Sequence, residues 1–145
     1  MSLAMTKKER EAFLVDVRIG VLTVADGDRG PLTCPVWYSY EPGGDIVFVT
    51  GKTSKKAALL RAAGRATFLV QSEELPYKYV SVEGPVTGPD DADVDTDVRP
   101  IARRYLGTEL GDAYVTSSRA ENPAGDVIVR IRPERWQTVD YAKRV

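Results

Sequence analysis

Residues 47–70 read VFVTGKTSKKAALLRAAGRATFLV, and they carry the densest chemistry in the chain. An apolar run ends at Thr50, and an alanine- and leucine-rich run opens at Ser54, with Lys55 and Lys56 directly behind it. If the first run is a strand and the second a helix capped by Ser54, both lysines fall in the helix's first turn. There they oppose the helix dipole, at about 0.3–1 kcal/mol each. A bound anion reverses that penalty. The free N–H groups of the helix start, the hydroxyls of Thr53 and Ser54 and the two ammonium groups together suit a phosphate. A solvated, lysine-rich turn with Ser54 as an ordinary cap accounts for the same residues equally well. Gly51-Lys52-Thr53 also resembles the tail of a nucleotide P-loop. The glycine that motif needs five positions earlier is Ile46, so a P-loop is excluded.

The second concentration of chemistry is aromatic. Pro35-Val36-Trp37-Tyr38 puts two large rings on opposite faces of a strand, where a planar ligand can lie against one of them; core packing and contact with a partner chain are the competing uses. Cys34 has no basic neighbour in sequence and reads as a small apolar residue. Glu83 lies in an apolar strand and reads as outward-facing or ion-paired. The acidic run Asp90, Asp91, Asp93, Asp95 and Asp97 lacks the glycine and terminal glutamate of a calcium loop and reads as a solvated helix start. Arg130 and Arg132 share a strand face that suits a rim, a dimer contact or a ligand. The chain has no histidine, which excludes His-based triads and His-ligated metals. One cysteine excludes an internal disulfide and points, weakly, to a reducing cytoplasm.

The elements that must position these residues follow from punctuation and period. Thr6 and Glu9 have capping-box spacing, with Ala12, Phe13 and Val15 as the apolar face of a first helix. Strands are expected at 19–25 and 33–40. Pro35 confines the second to a sheet edge or a bulge. It returns through 41–44 as a hairpin to 45–50. A helix at 54–63 ends at Gly64, and strands follow at 66–71 and 79–86. Residues 91–106 read as a helix that Pro100 kinks or splits, with a short helix at 111–118. Residues 126–131 and 136–141 are closing strands. About seven strands and three or four helices, joined by hairpins, predict a mainly β chain: an antiparallel barrel with peripheral helices.

The 145 residues fit one domain, 1–145, with Met5 suggesting that residues 1–5 are a tag remnant or a disordered start. Twenty Lys and Arg against 21 Asp and Glu argue against a dedicated nucleic-acid binder. No apolar run reaches the roughly 18 residues of a membrane span, and no signal peptide precedes the first helix. A cytoplasmic protein with no membrane, nucleic-acid or metal partner is expected.

Taken together, 19–24, Pro35-Val36-Trp37-Tyr38, 47–50, Ser54-Lys55-Lys56-Ala57 and 79–84 resemble the flavin-binding split β-barrel family related to pyridoxamine 5′-phosphate oxidase. The resemblance runs from about residue 9 to residue 141 and is nearest to the actinobacterial branch that uses the deazaflavin F-420. It implies a dimeric antiparallel split barrel with a cofactor site at each end of the interface. Carried over by position, Ser54, Lys55 and Lys56 hold the cofactor phosphate, and Val49 and Thr50 line the site beside them. Pro35, Val36 and Trp37 run along the ring, Tyr79 stands near it, and Trp136 reaches the partner's site. The family implies hydride transfer between F-420 or FMN and a small conjugated or heterocyclic substrate, and no catalytic acid or base can be named. F-420 is preferred partly because Lys52, Arg61 and Arg65 suit its anionic tail and partly because the resemblance is nearest to that branch. Pyridoxamine phosphate oxidation itself is not expected: the oxidase's C-terminal motif with its histidine is missing, and Tyr38 replaces a substrate-phosphate lysine. A non-catalytic cofactor carrier is the alternative, and an interaction module that has lost the cofactor is the third reading.

Overall fold

In the computed structural model, which describes residues 2–144, the first helix opens on the expected capping box. The Thr6 hydroxyl accepts from the Glu9 N–H at 3.1 Å, and the Glu9 carboxylate accepts from the Thr6 N–H at 2.8 Å. Helix α1 (Lys7–Val15) turns Phe13 and Leu14 into the core, whereas Ala12 and Val15, expected on that face, are exposed. Met1 and Val145, the ends of the expected 1–145 domain, lie outside the described residues. The start of the chain is not loose: Met5 is buried and its N–H donates to Thr138 Oγ1 at 2.9 Å. The Leu3 carbonyl accepts from the Asp140 N–H at 2.8 Å.

The chain continues as β1 (Gly20–Asp26), β2 (Arg29–Val36), β3 (Ser39–Tyr40), β4 (Ile46–Gly51), α2 (Lys55–Ala63), β5 (Arg65–Gln71) and β6 (Lys78–Asp91). A π-helical turn (Val94–Val98) leads into α3 (Arg99–Glu121), and β7 (Asp126–Ile131) and β8 (Arg135–Asp140) close the fold. All strand pairs are antiparallel, in the order β2-β1-β5-β6-β7-β4-β3, with β8 on β6. The long strand β6 is the joint. Its first half pairs with β5 and β8, and its second half pairs with β7, the exchange falling between Pro85 and Val86. This is the mainly β architecture with flanking helices that the sequence predicts.

Three local readings need correction. The strand expected over 33–40 is broken: β2 stops at Val36, and the Tyr38 N–H donates to the Tyr105 hydroxyl at 3.1 Å instead of to a neighbouring strand. β2 pairs only with β1, so Pro35 does sit on an edge. Pro100 neither kinks nor splits its helix, because it occupies the first turn of α3, where a missing N–H costs nothing. The break falls at Gly107, whose φ of 82° and ψ of 173° separate two helical stretches by a sharp bend, so the second runs over 108–121 rather than the expected 111–118.

Of the large rings Trp37, Tyr38, Tyr40 and Trp136, the core takes in two and leaves Trp37 and Trp136 half-buried. Tyr38 is fully buried and Tyr40 nearly so. Tyr38 meets Phe68 edge-on at 5.3 Å, and Phe68 stacks on Phe48 at 6.1 Å. The Tyr38 hydroxyl donates to the Leu14 carbonyl at 2.8 Å, and burial pushes its pKa up to about 12. Arg104 fastens α3 to the barrel by donating to the carbonyls of Tyr38, Val15 and Asp16, each at 3.0 Å.

Two surface networks set an acid limit. Asp112 accepts from Arg103 and Arg99 across the α3 bend, and those hydrogen bonds hold its pKa at about 2. The Lys143 ammonium, and then the Thr6 N–H, hold Glu9 at about 2 as well. Both folded values lie below the ordinary 3.8 and 4.5, so this stability is complete above those values. It is lost as pH falls toward 2. Thermal melts of Asp112→Asn and the parent chain are therefore expected to differ at pH 6 and to converge near pH 2.

Candidate functional site

The end of β4 delivers the chain into α2 through a tight turn. The Ser54 N–H donates to the Gly51 carbonyl at 3.0 Å, and the Lys52 N–H donates to Gly125 at 3.0 Å. The Ser54 hydroxyl caps α2 by accepting from the Ala57 N–H at 3.1 Å, and it lies 3.3 Å from the Thr50 hydroxyl. Gly64 closes the helix in the left-handed conformation. The cap leaves the N–H groups of Lys55 and Lys56 without intrahelical acceptors.

In front of this helix start lies a cleft of about 540 Å³, within the range of cofactor and substrate pockets. Pro35, Val36, Trp37, Val49, Thr50 and Lys56 all line it, so six of the ten expected site residues meet there. Ser54 stands behind Thr50 as the cap. Lys55 turns away: its Nζ pairs with Asp26 Oδ2 at 2.9 Å, and the Asp26 side chain is only 18% exposed. Lys55 thus already has a partner within the fold.

Tyr79 and Trp136 do not reach this cleft within the chain. Tyr79 lies on the outer sheet face, where its hydroxyl accepts from Gln137 at 3.5 Å. Trp136 packs against the core under the Arg10 guanidinium, 4.4 Å from the ring centroid. Trp37 is in the wall but is already packed by protein. Tyr105 stacks on it at 5.0 Å and 8°, and Tyr114 leans on it at 5.1 Å and 51°. Of the cations assigned to an anionic tail, Lys52 pairs with Asp91 and Arg65 with Glu134, both at 2.9 Å. Arg61 makes no ion pair among the described residues.

Helix α3 supplies the wall that sequence reasoning missed. Ile101, Ala102, Tyr114 and Ser118 face the cleft, along with Val98, Ile19 and Asp126. Lys56, Tyr114 and Asp126 are its titratable groups. Burial raises the Asp126 carboxyl above its ordinary value, against the hydrogen bond from Asn122. The acidic run is consumed locally: Asp93 caps the π-helical turn, Asp95 pairs with Arg99, and Asp91 holds Lys52. Among the described residues, no group of three or more His, Cys, Asp or Glu gathers as a metal site, and no helix is long and apolar enough to cross a membrane.

An antiparallel barrel joined through one long strand, with a lysine-bearing helix start opening on an apolar cleft, is a split barrel. The family model of pyridoxamine 5′-phosphate oxidase matches residues 6–140, and the chain belongs to that family. Among solved structures, a conserved hypothetical protein of Mycobacterium tuberculosis, Rv2991, is 24% identical over 96% of this chain and 87% of its own, with a TM-score of 0.75. A FAD-binding protein of Mesorhizobium loti is 21% identical over 93% of each chain, with a TM-score of 0.63. An F-420 reductase is 20% identical over 88% of this chain and 94% of its own, with a TM-score of 0.61. At these identities the likeness is one of fold. No curated protein matches the chain by sequence.

Proposed function

We propose that the chain binds a flavin-type cofactor, F-420 in preference to FMN, and serves hydride transfer between it and a small conjugated or heterocyclic substrate. The observation that carries this reading is the convergence of the α2 start, Lys56 and the apolar residues Pro35, Val36 and Val49 on one cleft. The residues fit the group. Two first-turn N–H groups and the Lys56 ammonium suit a phosphate, and the apolar strand residues suit a planar ring. When bound, the cofactor supplies the hydride chemistry, so the protein's part is to bind, orient and shield. The relative that is an F-420 reductase and the one that binds FAD support this class of ligand.

A homodimer belongs to the same reading. Ile19, 48% exposed, lies on the rim of the cleft, and Val17, 54% exposed, lines the groove beside it. A second copy covering them would bury about 1,200–2,000 Å² in total. The test is titration of the purified chain with F-420 and with FMN, followed by turnover of reduced cofactor with conjugated acceptors. Binding with turnover supports the reading. Binding without turnover on any acceptor favours the cofactor carrier, and no binding of either removes the proposal.

A further inference from the structure

One carboxyl group at the phosphate end of the cleft is not explained by the cradle. Asp126 opens β7 directly across the ladder from Gly51, and it lines the cleft together with Thr50, Gly51 and Lys56. Its Oδ1 accepts from the Asn122 amide at 3.3 Å. That amide nitrogen lies 3.6 Å from where a Cβ on Gly51 would stand, and the Ser54 Cβ lies 3.9 Å from the same point. The Asn122 amide, which holds Asp126, and the α2 cap therefore both approach the same face of Gly51. The neighbouring cations are committed elsewhere, Lys52 to Asp91 and Lys55 to Asp26. The other groups facing this corner are Lys56 on α2, Tyr114 on α3 and the exposed Arg119, which shares an adjoining recess with Asp126.

Resting on the cofactor reading above, we infer that Asp126 is a specificity determinant for the cofactor's phosphoryl group. Its carboxylate disfavours a dianionic phosphomonoester, as in FMN, and tolerates a singly charged phosphodiester, as in F-420. A phosphomonoester carries about −1.5 to −2 charges at pH 7, whereas a diester carries one. Coulomb energy is linear in ligand charge, so the carboxylate repels the monoester up to about twice as strongly as the diester. Lys56 attracts both and does not by itself exclude the monoester. Burial already holds Asp126 toward its neutral form. Repulsion therefore grows as pH rises through its pKa.

The experiment compares the affinity of FMN, F-420 and uncharged riboflavin for the parent chain and for Asp126→Asn, at pH 8 and fixed ionic strength. The expected result is a gain of about tenfold for FMN, about threefold for F-420 and none for riboflavin. Equal gains for FMN and F-420, or no gain for either, overturn the inference. If Asp126→Asn does not fold, the parent chain decides through its FMN-to-F-420 affinity ratio between pH 5 and 8. A falling ratio supports the carboxylate, and a rising ratio, as the dianion forms against Lys56, overturns it. Failure of the parent chain to bind either cofactor removes the cofactor reading and this inference with it. Binding with an unchanged ratio removes the inference alone.

Discussion

Lys56→Ala is expected to weaken cofactor affinity about tenfold to a hundredfold while leaving the melting temperature of the cofactor-free chain unchanged. Lys56 lines the cleft and stands in the first turn of α2, where a positive charge opposes the helix dipole unless an anion is present. Its charge-assisted hydrogen bond to a phosphate is worth about 1.5–3 kcal/mol, and 1.4 kcal/mol is a decade of affinity. Lys55→Ala should behave differently. Lys55 already neutralises the largely covered Asp26, so its loss lowers the stability of the cofactor-free chain by about 1 kcal/mol at most, since the ammonium is 59% exposed. A phosphate would have to draw Lys55 off Asp26, so its share of affinity is the smaller. The double variant should bind more weakly than either single one, and Lys8→Ala, on the exposed side of α1, should change neither quantity. Titrations beside melting curves decide the matter. An unchanged affinity in the double variant would sink the phosphate assignment.

Much of this arrangement was legible because local chemistry specifies it. The capping box at Thr6, the Ser54 cap, the Gly64 stop and the edge position of Pro35 each follow from a backbone group that needs a partner or a residue that cannot supply one. The strand-to-helix passage at 47–63 was readable for the same reason, and with it Val49, Thr50 and Lys56. What was not legible is tertiary. Nothing in the period of residues 91–121 says that a bend at Gly107 lays Tyr114 and Ser118 over a cleft whose floor comes from β2 and β4. Asp26 reads as a turn residue until the fold sets it beside Lys55, and Asp126 reads as a strand start until Asn122 and Gly51 surround it. Tyr79 and Trp136 were placed by family position alone, and in this chain they sit on the outer sheet face and under Arg10.

Gly84→Ala is expected to be the most destabilising single-methyl change in the chain, costing at least about 3 kcal/mol, the upper end of the usual overpacking penalty. The reason is the joint in β6, not backbone conformation. Gly84 lies where the strand leaves β8, after Glu83, and β5, after Pro85, for its pairing with β7, and the link between β7 and β8 crosses directly over it. A Cβ there would stand 1.7 Å from the Arg132 carbonyl oxygen. Backbone cannot rotate away as a side chain can. Relief means lifting the crossing segment, which breaks the hydrogen bonds from Arg132 N–H to Pro85 and from Glu134 N–H to Glu83, both 3.0 Å. Gly20→Ala meets side-chain atoms only, the Phe68 ring at 2.1 Å, and a ring can repack, so its cost should be smaller. Gly30→Ala, with no atom within 4 Å, should be neutral. Urea denaturation of the three variants orders them. If Gly84→Ala melts with Gly30→Ala, the two halves of the barrel are not held together at this crossing.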